Sequence, residues 1–139
     1  MQEIHLTYDV PGDDFTRAGE ASADLKTRLK KLGFPSEAIR KVAIALYEGE
    51  INLAIHADGG HIEVTIIPEL VDMTLSDTGP GIPDISLAMQ EGWSTAPDEV
   101  RSLGFGAGMG LPNMKKYSDE FDIQSAVGVG TTVRMKIHI

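Results

Sequence analysis

The chain has no cysteine, so neither a disulfide frame nor a thiolate metal site is available to it. No stretch approaches the ~20 consecutive apolar residues that a membrane span needs. Met1 to Val10 lacks the basic start and apolar run of a secretion signal and already alternates polar and apolar side chains. Cations are scarce as well: 12 Lys and Arg face 21 Asp and Glu, giving a formal net charge of −9. That balance argues against non-specific nucleic-acid binding, which rests on Lys and Arg neutralising phosphates. The four histidines, His5, His56, His61 and His138, show no zinc-like spacing. The expectation is a cytoplasmic protein with no membrane or nucleic-acid partner.

What is present fits one compact domain over 1–139, since 42% of the residues are hydrophobic and 24% charged. Glycine is abundant and clustered: Gly79, Gly81, Gly92, Gly104, Gly106, Gly108 and Gly110 are seven of the 15. An anion held by so acidic a chain needs local donors, such as backbone N–H groups, a helix start or a metal.

Residues 2–9 alternate as a strand, with Ile4, Leu6 and Tyr8 on one face. Asp13 or Asp14 then reads as the N-cap of an amphipathic helix that ends at Gly33. Pro35-Ser36 opens a second helix, running to about Ala57, with Ile39, Val42, Ala43, Leu46, Ile51 and Ile55 as its apolar stripe. Asp58-Gly59-Gly60 reads as a tight turn, His61 to Ile67 as a strand, and Pro68-Glu69 as the turn into a partner strand with Val71, Met73 and Leu75 inward. The segment 77–109 is too long for a plain connection and is expected to be a functional loop or lid, packed in part by Trp93. A short helix from Leu111 to Tyr117 follows, then a strand through Phe121, Ile123 and Ser125 and a last strand from Thr131 to Ile139. The order predicts a two-layer α/β sandwich with a mainly antiparallel, mixed sheet packed on helices.

Three constellations carry chemistry. Glu48 and Asn52, four apart on the second helix, lie ~40° apart around its axis. A carboxylate there can take a proton and an amide can offer its carbonyl oxygen to a hard cation; the alternative is a solvated polar stripe. Glu50 falls on roughly the opposite face and reads as a solvent- or partner-facing charge. Gly49 costs about 1 kcal/mol against Ala in a helix interior; either it allows a close approach of a ligand or the sheet, or it is simply tolerated. Asp77-Thr78-Gly79-Pro80-Gly81-Ile82 follows a strand directly. Its carboxylate can accept from an exocyclic amine beside glycines that leave room for a flat ring; the alternative is a turn with a capping Asp. Gly104 to Gly110 precedes the short helix, and the N–H groups of such a loop and helix start make a phosphate cradle; the alternative is a hinge. It is not a dinucleotide fingerprint, because Met109 and Leu111 stand where the third glycine belongs, and no Gly-Lys-Ser/Thr follows for a Walker-type loop.

In this order the motifs resemble the GHKL (Bergerat-fold) ATPases, the superfamily of gyrase, MutL, heat-shock chaperone ATPases and histidine kinases. Tyr47 to Ala54 resembles the N-box, Asp77 to Ile82 the G1 box, Gly104 to Leu111 the G2 box, and Gly128-Val129-Gly130-Thr131-Thr132 the final glycine element. Within that superfamily the chain resembles the short anti-sigma regulatory and switch-protein serine kinases of the RsbT and RsbW type. Ile55-His56-Ala57, Asp84 to Gly92, and Met109 to Lys116 followed by Asp119 to Ile123 carry that likeness, all but the first leaning toward RsbT.

The resemblance implies ATP with Mg²⁺. Asn52 would coordinate the metal. Asp77 would hold the adenine amine, with Gly79, Gly81, Ile82 and a water near Thr131 around the ring. Residues 83–103 would be the lid, and Gly106, Gly108, Met109, Gly110 and Leu111 would line the phosphates. Arg101, or else Lys115, would meet the γ-phosphate. Glu48 would act on the attacking hydroxyl. The implied activity is a serine/threonine protein kinase of bacterial partner switching that phosphorylates a STAS-domain protein. The alternative is an anti-sigma-like module that sequesters a sigma factor or other partner with ATP as its switch. A homodimer through the first strand and helix is a further implication.

Overall fold

A computed structural model describes residues 3–12, 18–56, 59–79, 81–82, 89 and 110–139, with the side chains of 55 and 56 excepted. Five strands and three helices follow in the order β1 (Ile4–Pro11), α1 (Glu20–Lys31), α2 (Ser36–His56), β2 (Gly59–Ile67), β3 (Leu70–Ser76), α3 (Gly110–Tyr117), β4 (Glu120–Ala126) and β5 (Gly130–His138). The strands form one sheet ordered β1-β2-β3-β5-β4. Every pairing is antiparallel, so the expected mainly antiparallel sheet is wholly so among the described residues.

One-sided burial explains the layers. Ile62, Val64 and Ile66 of β2, Val71, Met73 and Leu75 of β3, and Val133, Met135 and Ile137 of β5 are all buried at every second position. They pack against Leu25 and Leu29 of α1 and Val42, Leu46 and Leu53 of α2. The β2–β3 hairpin closes over Pro68-Glu69, pairing Ile67 with Leu70. Tyr8 ties the edge strand β1 to α1: its hydroxyl donates to Asp24 Oδ2 at 2.6 Å, and Arg28 Nε donates to the same oxygen at 2.8 Å. Burial, then the Asp24 carboxylate, pushes the Tyr8 phenol well above its ordinary range.

Four expectations need correction. Gly59 and Gly60 are not a turn; they pair with Pro11 and Val10 inside the β1–β2 ladder. The stripe of α2 runs through Ile39, Val42, Leu46, Gly49 and Leu53, while Ala43 and Ile51 are only half-buried. Gly49, which has no side chain, escapes a count of large apolar residues. The described α1 begins at Glu20 behind Gly19, which offers no side-chain cap; Asp13 and Asp14 lie outside the described residues. The cap comes from elsewhere in the chain. Glu50, only 2% exposed, accepts the backbone N–H groups of Gly19 (2.8 Å) and Ala21 (3.1 Å) on Oε2 and of Ser22 (2.6 Å) on Oε1. It is thus a buried anion on the positive end of α1, not a charge facing solvent or a partner.

Gly49 shows which approach its missing side chain permits. A β-carbon there would run into the Leu75 side chain of β3, and Met114 Sδ of α3 would stand 3.5 Å away. The helix therefore sits down on both sheet and α3 at the turn that carries Glu48 and Asn52.

Candidate functional site

The site has two halves. On α2, Glu48 and Asn52 are both half-buried and both face the start of α3. A β-carbon at Gly110 would lie 3.7 Å from Asn52 Oδ1 and 3.8 Å from Glu48 Oε2. The first N–H groups of α3 have no partner within their own helix, so this corner joins a carboxylate, an amide oxygen and a helix start. Leu111 buries itself at 6% exposure and anchors that start. Asn113, one turn in, donates from Nδ2 to Glu48 Oε1 at 3.4 Å. Burial raises the Glu48 carboxyl above its ordinary range, and the Asn113 donor opposes part of that rise.

The other half is built at the end of β3. Asp77 donates its N–H to the Thr131 carbonyl at 3.0 Å. Its Oδ1 accepts the N–H groups of Gly79 (2.8 Å) and Thr131 (3.3 Å). Both contacts fall on Oδ1. Among the described residues Oδ2 accepts nothing, which leaves an aligned oxygen for a donor from outside the chain. Gly130 makes this pairing possible: its φ is 142°, and a β-carbon there would strike the Asp77 carbonyl oxygen.

Gly81, at φ 79°, lies against the Ala126 carbonyl and Val127 of the β4–β5 turn. Ile82 N–H then donates to Ser125 Oγ at 2.7 Å, and that hydroxyl lies 2.8 Å from Thr131 Oγ1. A chain of hydrogen bonds therefore holds Ile82, Ser125, Thr131 and Asp77 together. The halves are joined through Gly49 and Leu75, since Gly49 follows Glu48 and Leu75 precedes Asp77 by two residues.

The structure thus brings Glu48, Asn52, Gly110 and Leu111 to one corner, and Asp77, Gly79, Gly81, Ile82 and Thr131 to another. Arg101, Gly106, Gly108 and Met109, with the lid 83–103 and Trp93 inside it, lie outside the described residues. Lys115 is exposed on the last turn of α3. Two participants go unread in the sequence: Asn113 and Ser125. Ser125 was legible in principle, as a polar residue on the inward register of Phe121 and Ile123.

No helix among the described residues is long and apolar enough to cross a membrane. Comparison with known proteins shows the family of the chain. The model of the histidine kinase-, DNA gyrase B- and HSP90-like ATPase family matches residues 37–139. Serine/threonine-protein kinase RsbT of Bacillus subtilis is 32% identical over 109 residues, covering 76% of each chain. An anti-sigma F factor of Geobacillus kaustophilus is 37% identical over 143 residues, covering 99% of this chain and 92% of that one. Among solved structures, the RsbU and RsbW domains of a Mycobacterium tuberculosis protein superpose with a TM-score of 0.63 at 16% identity. That likeness covers 99% of this chain and 32% of the larger one, and at this identity it speaks for the fold alone. The chain belongs to the histidine kinase-, DNA gyrase B- and HSP90-like ATPase family, among relatives named serine/threonine-protein kinase RsbT and anti-sigma F factor.

Proposed function

We propose that this chain is an ATP-dependent serine/threonine protein kinase of a bacterial partner-switching system, a single ATP-binding domain over 1–139 that phosphorylates a STAS-domain protein in the cytoplasm. The observation that carries the reading is Glu48: a half-buried carboxylate with raised proton affinity, one helical turn from Asn52 and beside the start of α3. A module that only binds nucleotide has no use for such a base.

The residues divide the work. Asp77 Oδ2 accepts the adenine amine, while Oδ1 stays fixed by Gly79 and Thr131. Gly79, Gly81 and Ile82 form the wall beside the ring, with Thr131 completing it. Gly110 and Leu111, preceded by Gly106, Gly108 and Met109, offer backbone N–H groups to the phosphates, and Arg101 supplies the lid cation. Among the described residues no group of three His, Asp or Glu could hold a metal, which fits Mg²⁺ held mainly by phosphate oxygens and water. Asn52, with its half-buried amide oxygen at this corner, is the residue that would hold it, and bound Mg²⁺ neutralises phosphate charge. The acceptor hydroxyl of a serine or threonine gives its proton to Glu48 as its oxygen bonds to the γ-phosphorus. The bond from that phosphorus to the bridging oxygen of ADP breaks, and ADP leaves. Such transfer needs mainly positioning and charge neutralisation.

Labelled ATP incubated with STAS-domain proteins from the same organism tests this. Transfer to a serine or threonine, lost in Glu48→Ala with ATP affinity retained, supports the kinase; ATP binding without any transfer refutes it. The relatives named anti-sigma F factor favour a second reading, in which the chain also sequesters a sigma factor. Co-purification with sigma factors, with and without ATP, separates the two.

A further inference from the structure

The outer side of the helical layer carries an open groove that the proposed nucleotide site does not use. It measures about 520 Å³ and lies between the C-terminal half of α1 and the first turns of α2. Its floor is apolar, with Ile39 buried and Phe34 and Ile44 half-buried. Its rim is cationic, formed by exposed Lys26, Lys30 and Arg40. Among the described residues no carboxylate lies within ion-pair reach of Lys26 or Lys30, whereas neighbouring Arg28 is held by Asp24. Arg40 has the exposed Glu37 at 3.4 Å and stacks over Tyr117 at 5.6 Å.

The charge around this groove is unlike the rest of the molecule. In a chain of net charge −9, six of the 12 cations (Lys26, Arg28, Lys30, Lys31, Arg40 and Lys41) fall between positions 26 and 41, where Glu37 is the one acid. A local positive field on an acidic protein steers acidic partners and turns away basic ones. The apolar floor gives a bound segment something to bury within that field. Position adds a third argument. Arg40, Ile44 and Glu48 succeed one another at four-residue spacing along α2, and eight residues of helix span ~12 Å. About four extended residues cover that distance.

We propose that this groove docks an acidic, partly apolar segment of the phosphoacceptor protein, with Lys26, Lys30 and Arg40 reading its carboxylates around the floor of Phe34, Ile39 and Ile44. Naming the occupant rests on the kinase reading above. Docking here holds the acceptor hydroxyl within reach of Glu48 and selects the substrate by a surface remote from the nucleotide.

The test measures both binding and transfer for the full chain with its STAS-domain partner, comparing wild type with Lys26→Glu/Lys30→Glu and Lys26→Arg/Lys30→Arg. The charge reversal is expected to raise Kd and KM for the STAS protein by at least about tenfold. Its kcat and ATP affinity stay at wild-type values, and the arginine pair behaves as wild type. Added salt should raise the wild-type KM and leave that of the reversed variant nearly flat. Transfer with an unchanged KM in Lys26→Glu/Lys30→Glu overturns the groove and leaves the kinase standing. Binding without transfer, lost on charge reversal, supports the groove and overturns the kinase. No binding to any STAS protein overturns both. A single-stranded RNA oligonucleotide that displaces the STAS protein from wild type, and does not bind the reversed variant, makes the groove a nucleic-acid site and refutes the proposal.

Discussion

Asn113 Nδ2 donates to Glu48 Oε1 at 3.4 Å, across 65 positions of sequence. Among the described residues it is the one side-chain contact that opposes the effect of burial on that carboxyl. The base must be ionised to take a proton. Burial raises its pKa, so the acid limb of the transfer rate should lie above the ordinary glutamate range.

Asn113→Ala removes the donor and leaves the burial. The Glu48 carboxyl should rise further, and the acid limb of kcat should move to higher pH with ATP affinity unchanged. Asn113→Asp should move it further still by like-charge repulsion. The same sign applies to stability. A folded-state pKa above the unfolded value favours folding at low pH, and that contribution is lost as pH rises through the folded pKa. A pH–rate profile with an unmoved acid limb in both variants contradicts this role.

Glu50 makes a separate prediction about folding. Glu50→Ala leaves the N–H groups of Gly19, Ala21 and Ser22 without their carboxylate. A loss of about 3 kcal/mol is expected in urea denaturation. Glu50→Gln keeps one acceptor oxygen and should fall between that variant and wild type. A loss below about 1 kcal/mol for Glu50→Ala contradicts the buried cap.

Two glycines of the last hairpin should behave differently. Gly130→Ala drives a methyl into the Asp77 carbonyl and should abolish ATP binding. Gly128, at φ 79°, has open space around it. Gly128→Ala should cost only the left-handed backbone strain, about 1–2 kcal/mol, and keep ATP affinity. Isothermal titration of both variants decides; equal ATP binding by the two removes the argument from Gly130.

Much of the fold is legible because burial here is one-sided. The alternation through Ile62, Val64 and Ile66 and through Val71, Met73 and Leu75 announces strands with one inner face. Glu48, Asn52 and Asp77 are proposed as a set because their motifs occur in order, although each alone has a bland alternative. Glu50 shows the limit. Its angular position on α2 is read correctly, but a helical wheel does not say what stands against that face. The N-terminus of α1 stands there, about thirty positions away in sequence, with three N–H groups to satisfy. Asn113 is hidden for the same reason. Gly59 and Gly60 look like a turn because glycine usually punctuates; the β1 edge recruits them into the ladder instead.

Asp77 Oδ2 is proposed as the acceptor for the adenine amine. Asparagine at this position keeps an oxygen for the Gly79 and Thr131 N–H groups but places an NH₂ donor where Oδ2 stood. Isothermal titration of ATP into wild type and Asp77→Asn, with circular dichroism to establish that both are folded, tests this most directly. A folded Asp77→Asn is expected to lose at least about tenfold in affinity; a folded Asp77→Asn that binds ATP as tightly as wild type contradicts this role of Asp77.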